Sequence, residues 1–124
     1  MANIFDFKEL KVWQKSHELV LKIYSISNIF PNNEKYGLTS QIQRASISIA
    51  SNIVEGFNRR SVKESLHFYN ISRGSLEEVR YQLLIAKDLQ YIDEKTFTEL
   101  EILCNEIGKM LYSWIKCQKR NSHL

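Results

Sequence analysis

Thr39-Ser40-Gln41-Ile42-Gln43-Arg44-Ala45-Ser46-Ile47-Ser48-Ile49-Ala50-Ser51-Asn52-Ile53-Val54-Glu55-Gly56-Phe57 is the stretch on which the fold turns. Ile42, Ala45, Ser46, Ile49, Ile53 and Gly56 return at steps of three and four, the period of one face of an α-helix. Ile47 and Val54, seven residues apart, fall almost opposite that face. A surface helix should be polar there, and a helix apolar on both sides is buried on both sides. The stretch therefore predicts a helix over 39–57 that turns one side to a core and the other to a second subunit. Ile47 and Val54 are the candidates for that subunit interface. The alternative is two scattered exposed aliphatics, which monomers commonly carry.

Outward from this stretch the same period repeats. Before it, Val12, Trp13, Ser16, Leu19, Val20, Ile23, Ser27 and Phe30 mark a helix over 8–29. Pro31 and the run Asn32-Asn33-Glu34-Lys35-Tyr36-Gly37 stop it. After it, Ser61-Val62-Lys63-Glu64 has the form of a capping box, in which Ser61 accepts from the Glu64 N–H and the Glu64 side chain reaches back. It opens a helix over 62–89 with the stripe Ser65, Phe68, Tyr69, Ser72, Ser75, Leu76, Val79, Leu83 and Ala86. A helix-interior glycine costs about 1 kcal/mol against alanine. Gly74, with Ser72 and Ser75, is therefore expected to admit a closely packed neighbour. Asp93 as N-cap and Glu94 in the first turn open a helix over 94–118. Its stripe is Phe97, Leu100, Leu103, Cys104, Ile107, Leu111, Trp114 and Ile115. Trp13 and Trp114 read as core anchors. Four such segments on short connections predict an all-α fold, one antiparallel up-down-up-down four-helix bundle over 1–124, with crossing angles near about 20°.

Composition agrees and excludes other classes. The 124 residues suit one domain, and 44% hydrophobic with 25% charged residues is ordinary globular usage. Four Gly and one Pro are too few for a turn-rich sandwich or barrel, or for a disordered linker. The longest apolar runs are about four residues, as in Leu83-Leu84-Ile85-Ala86, where a membrane span needs about 20. Asp6 and Glu9 interrupt the N-terminal stretch, so no signal peptide is expected. Cys104 and Cys117 stand 13 positions apart on one helix, about 20 Å along its axis and beyond bridging distance. Free thiols without an export signal point to the cytoplasm.

Few residues suggest chemistry. Glu64 and His67 form a Glu-x-x-His pair, but a di-metal bundle needs a second pair and two further carboxylates, which the chain lacks. Arg60 and His67, with six residues between them, resemble the Arg and His spacing of some helical-bundle ribonucleases, with His as general base and Arg stabilising charge. Those enzymes usually carry an amide or acid after the Arg, where Ser61 stands here. Phosphate-binding loops, zinc spacings and nucleophile elbows are missing from the sequence, and no cofactor or metal is expected.

The basic residues are more informative. Arg59, Arg60 and Lys63 cluster at the turn into the third helix. Arg73, Arg80 and Lys87 recur every seven residues along one flank. Lys109, Lys116, Lys119 and Arg120 occupy the outer face of the fourth helix and its tail, and no acid follows Glu106. Such clusters can track a phosphate backbone. Against this stand a net charge of only +3 and the acids Glu77, Glu78 and Asp88 beside the flank.

Several blocks together resemble one family. They are Leu10-Lys11-Val12-Trp13-Gln14-Lys15, Tyr36-Gly37-Leu38-Thr39-Ser40-Gln41-Ile42-Gln43-Arg44-Ala45, Ser51-Asn52-Ile53-Val54-Glu55-Gly56-Phe57, Gly74-Ser75-Leu76-Glu77-Glu78 and Leu84-Ile85-Ala86-Lys87-Asp88-Leu89. The chain looks like the four-helix bundle proteins encoded within intervening sequences of bacterial 23S ribosomal RNA genes, over about residues 7–115. The resemblance implies a homopentameric ring without established enzymatic activity or cofactor. It also implies similarity to the accessory variability protein of diversity-generating retroelements, a basic pentamer that binds nucleic acid and works with a reverse transcriptase. The family often has Pro within the second helix where Ala50 stands, which should leave this helix straighter. Asn52 and Glu55 of the shared block read as a hydrogen-bond network holding the second helix and its turn, the alternative being a shared polar functional site.

The leading expectation is thus a non-enzymatic homopentameric scaffold that binds RNA or DNA through Arg59, Arg60, Lys63, Arg73, Arg80, Lys109, Lys116, Lys119 and Arg120. Five copies would carry about +15. A protein-interaction module without nucleic acid and a ribonuclease using Arg60 and His67 remain the alternatives.

Overall fold

The structure, a computed structural model, describes residues 6–121. Four α-helices follow one another, α1 Lys11–Ser27, α2 Leu38–Phe57, α3 Val62–Asp88 and α4 Glu94–Asn121. Short 3₁₀ turns at Phe7–Glu9 and Asn32–Glu34 precede α1 and α2, and no strand occurs among the described residues. Contacts between helices give their directions. On α2 and α3 the pairs are Arg44 with Glu78, Ser48 with Ser75, and Gly56 with Ser65. On α3 and α4 they are Tyr69 with Trp114, Arg80 with Asn105, and Lys87 with Glu94. One number rises as the other falls, so these helices are antiparallel, as the short connections predict.

The stripes read from the sequence meet in the middle. Leu19, Ile23, Ile42, Ala45, Ile49, Ile53, Val79, Ala86, Cys104, Ile107 and Leu111 are wholly buried. Trp13 and Trp114 are partly buried and pack against this core. Between α2 and α3 the seam is polar, and its serine hydroxyls are satisfied. Ser65 Oγ donates to the Gly56 carbonyl at 2.7 Å, and Ser72 Oγ donates to the Ile49 carbonyl at 2.8 Å. A small hydroxyl on one helix reaching the backbone of the next requires close approach, and Gly56 supplies it. A Cβ there would lie 2.4 Å from Cε1 of the buried Tyr69 ring. Gly74 does not have the role expected of it. It is exposed, and a Cβ would meet nothing within 4 Å. The close approach comes from Gly56, Ser65 and Ser72.

Helix ends follow local chemistry. The first helix is shorter than the expected 8–29, because Leu10 is extended (φ −74, ψ 122) and 3% exposed. Its side chain enters the core, and the residues before it form a separate turn capped by Asp6. At the other end Phe30, constrained by the following Pro31, leaves the helix and buries its ring against Tyr91. Ser61 Oγ accepts from Glu64 N–H at 3.2 Å, while the return bond from the Glu64 side chain is absent, so only half of the expected capping box forms. Asp93 Oδ1 accepts from Thr96 N–H at 2.7 Å, and α4 runs on to Asn121. Beyond the end of α3 the chain turns at Gln90, φ 65, with Tyr91 N–H donating to the Ala86 carbonyl and Gln90 N–H to the Lys87 carbonyl. These are the two bonds of a Schellman cap, built on a residue other than the usual glycine. Asn52 Nδ2 donates to the Ser48 carbonyl at 2.8 Å, and Glu55 pairs with Arg59 across the end of α2. With Ala50 in place α2 is continuous.

Candidate nucleic-acid interface

The α3–α4 register decides which cations meet. Tyr69 lies against Trp114, so the start of α3 and the end of α4 share one end of the bundle. Arg59, Arg60 and Lys63 at the α2–α3 turn therefore lie at the same end as Lys116, Lys119 and Arg120. The opposite end carries the acids Glu34, Asp88, Asp93 and Glu94. There Glu34 accepts from Leu38 N–H at 3.1 Å and from Tyr91 OH at 2.8 Å. These two donors hold its carboxyl below the usual range, and the Glu34 carboxylate in turn holds the Tyr91 phenol above its own.

The expected cations divide by how they are held. Arg59 pairs with Glu55, and its guanidinium lies 4.4 Å from the centre of the Phe68 ring. Arg80 donates to Asn105 and sits 3.5 Å from Glu77. Lys87 stands 4.0 Å from Glu94 and 4.6 Å over Phe97. Among the described residues, Arg60, Lys63, Arg73, Lys109, Lys116 and Arg120 have no acidic partner. Lys116 Nζ lies 5.8 Å from the centre of the Tyr112 ring.

Among the described residues four hollows lie beside these cations, one of them between α1 and α4, about 510 Å³, which Lys109 lines with Glu9, Lys11 and Trp114. Arg59, Lys63, Glu64, His67 and Phe68 line one of about 460 Å³ at the α2–α3 turn. Arg60 does not line it, because it precedes the Ser61 cap and the helical spacing that unites α3 side chains does not extend to it. The Arg60–His67 pair of the ribonuclease reading is thus not gathered around this hollow. Between α3 and α4, Arg80, Asn105, Gly108, Lys109, Tyr112 and Ser113 line a hollow of about 600 Å³. It adjoins one of about 430 Å³ beside Arg73 and Gly74, with Gly108 and Tyr112 common to both.

Sequence reasoning found the cations and missed the aromatic rings beside them. Tyr112 lies three residues after Lys109 and four before Lys116, a spacing that places all three on one helix face. No group of three or more His, Cys, Asp or Glu gathers to hold a metal among the described residues. No described helix is long and apolar enough to cross a membrane. Cys104 is buried, which pushes its thiol up to about 12, while Cys117 is exposed.

An all-helical four-helix bundle with a cluster of cations at one end and others along the α3–α4 groove is the class these features define. Residues 8–113 match the model of the 23S rRNA-intervening sequence protein, and the chain belongs to that family. A solved structure from Bacteroides thetaiotaomicron VPI-5482, a protein with unknown function from the S23 ribosomal protein family at 1.70 Å resolution, is similar. It is 26% identical, with a TM-score of 0.79 over 85% of this chain and 98% of that one. No curated protein matches.

Proposed function

We propose that this protein is a non-catalytic, ring-forming basic scaffold that holds nucleic acid by its phosphates. The observation that carries this reading is the set of cations at one end of the bundle, Arg60, Lys63, Lys116 and Arg120, which have no acidic partner among the described residues although Glu9, Glu55 and Glu64 share that end. Such an arrangement attracts a polyanion to one end and leaves base identity largely unread. The family's name connects its members with an insertion in 23S rRNA, which supports RNA as the polyanion.

The ring reading rests on α2. Ile47 is 43% exposed and Val54 half-buried on the side away from the core, and a second subunit would cover both. A homopentamer would bring five basic ends into one assembly, so that weak contacts add through multivalency. Light scattering on the eluting protein should then give about five times 14.6 kDa.

The test reverses charge at Arg59, Arg60 and Lys63 to Glu. Gel-shift binding of an RNA oligonucleotide at low salt should disappear while mass and helical circular dichroism are unchanged. Unaltered binding would overturn the reading. Wild-type protein that shifts no RNA or DNA, yet elutes as an oligomer, would favour a pure assembly module, the alternative that Ile47 and Val54 support equally.

A further inference from the structure

We infer that the groove between α3 and α4 takes a single nucleic-acid strand, with one unstacked base on Tyr112 and phosphates on the cations around it. The inference rests on the phosphate-binding reading above and adds to it a site and a strand form. Tyr112 is 57% exposed and lies in both α3–α4 hollows. Arg73 borders one hollow, Lys109 the other, and Lys116 stands by the ring. Among the described residues Arg73 and Lys109 have no acidic partner, so both are available to phosphate. From Lys109 to Lys116 is about 10 Å along the helix at 1.5 Å per residue, room for one nucleotide between two phosphate contacts.

Glycines keep the groove open. A Cβ at Gly74 would meet nothing within 4 Å, and one at Gly108 only Leu76 Cδ2 at 3.6 Å. Neither close packing nor a left-handed backbone calls for glycine at these positions. Both border the hollow beside Arg73, and the absence of a side chain leaves depth there for a ligand. A basic groove around an aromatic ring is how proteins hold single strands, because every base has a face to stack. In a duplex those faces are already stacked, so a duplex can use the cations but not Tyr112. Glu77 also lines the hollow beside Arg73 and pairs with Arg80, so Arg73, Lys109 and Lys116 leave the groove a net positive charge that favours a polyanion over a second copy of this basic chain.

Fluorescence anisotropy with a labelled 20-nucleotide single strand and the matching duplex tests this. The single strand should bind more tightly. Tyr112→Ala should weaken it about tenfold, in the range of stacking losses at single-strand sites, and leave duplex binding unchanged. Tyr112→Phe should retain wild-type affinity, and Gly74→Ala should weaken the single strand alone. Equal binding of both forms, indifferent to Tyr112→Ala, would overturn the groove assignment and leave the basic-end reading intact. A change of oligomeric mass in Tyr112→Ala would show a second copy in the groove and also overturn it. Failure of both oligonucleotides to bind wild-type protein at low salt would remove the phosphate-binding reading beneath it.

Discussion

Two helix glycines should respond to the same substitution with opposite signs. Alanine is favoured over glycine by about 1 kcal/mol at a helix interior. At Gly74 the new methyl meets open space, so Gly74→Ala should stabilise by about 0.5–1 kcal/mol. At Gly56 the methyl would lie 2.4 and 2.8 Å from Cε1 and Cδ1 of Tyr69. That ring is 2% exposed and edges onto Trp114, so it cannot swing aside without moving a neighbour. Overpacking of this kind costs about 1–3 kcal/mol. Separating the helices also stretches the Ser65 bond to the Gly56 carbonyl, worth about 1 kcal/mol. After the propensity gain, Gly56→Ala should be destabilising by about 1–3 kcal/mol. For a chain of 124 residues each kcal/mol moves Tm by about 4 °C. Thermal melts followed at the helical circular dichroism band should show Gly56→Ala lower by about 4–12 °C and Gly74→Ala higher by about 2–4 °C. A neutral or stabilising Gly56→Ala would refute the close α2–α3 seam.

Other consequences follow from single contacts. Glu34 has a folded pKa below its unfolded value, so its contribution to stability is present above the unfolded pKa and is lost as pH falls through the folded one. Melts from about pH 6 to pH 3 should therefore show a steeper acid decline for wild type than for Glu34→Gln, and parallel curves would contradict the cap. Gln90 holds a left-handed conformation at φ 65, so Gln90→Gly should raise Tm, the relieved strain exceeding glycine's added chain entropy by about 0.5 kcal/mol, with a lowered Tm as the opposing result. A thiol reagent should label Cys117 in the folded protein and Cys104 only in denaturant, since burial keeps the Cys104 thiol protonated. Rapid native labelling of both would place Cys104 outside the core.

The four helices were legible because burial writes a period into sequence. Ile42, Ile49 and Ile53 announce one face whatever they pack against. The helix start at Lys11 was not legible, because nothing local distinguishes a Leu10 that continues a helix from one that leaves it to reach the core. Gly56 and Gly74 look alike in sequence, and only the position of Tyr69 separates a required glycine from an unconstrained one. The cations were visible as clusters, but their availability depends on partners distant in sequence. Arg80 meets Asn105, 25 positions away, and Arg73 meets no acid among the described residues. The groove around Tyr112 was invisible for the same reason, since it exists only where α3 and α4 are paired.

The central claim is that unpaired cations bind phosphate, and the salt dependence of binding tests it most directly. Each neutralised phosphate contributes about −0.7 to the slope of log affinity against log salt for a single strand and about −0.9 for a duplex. With Arg60, Lys63 and Arg120 engaged in one subunit, the slope should be on the order of −2 or steeper. Reversing Arg60 and Lys63 should flatten it. A slope near zero for wild-type protein, or no binding at low salt, would contradict the claim.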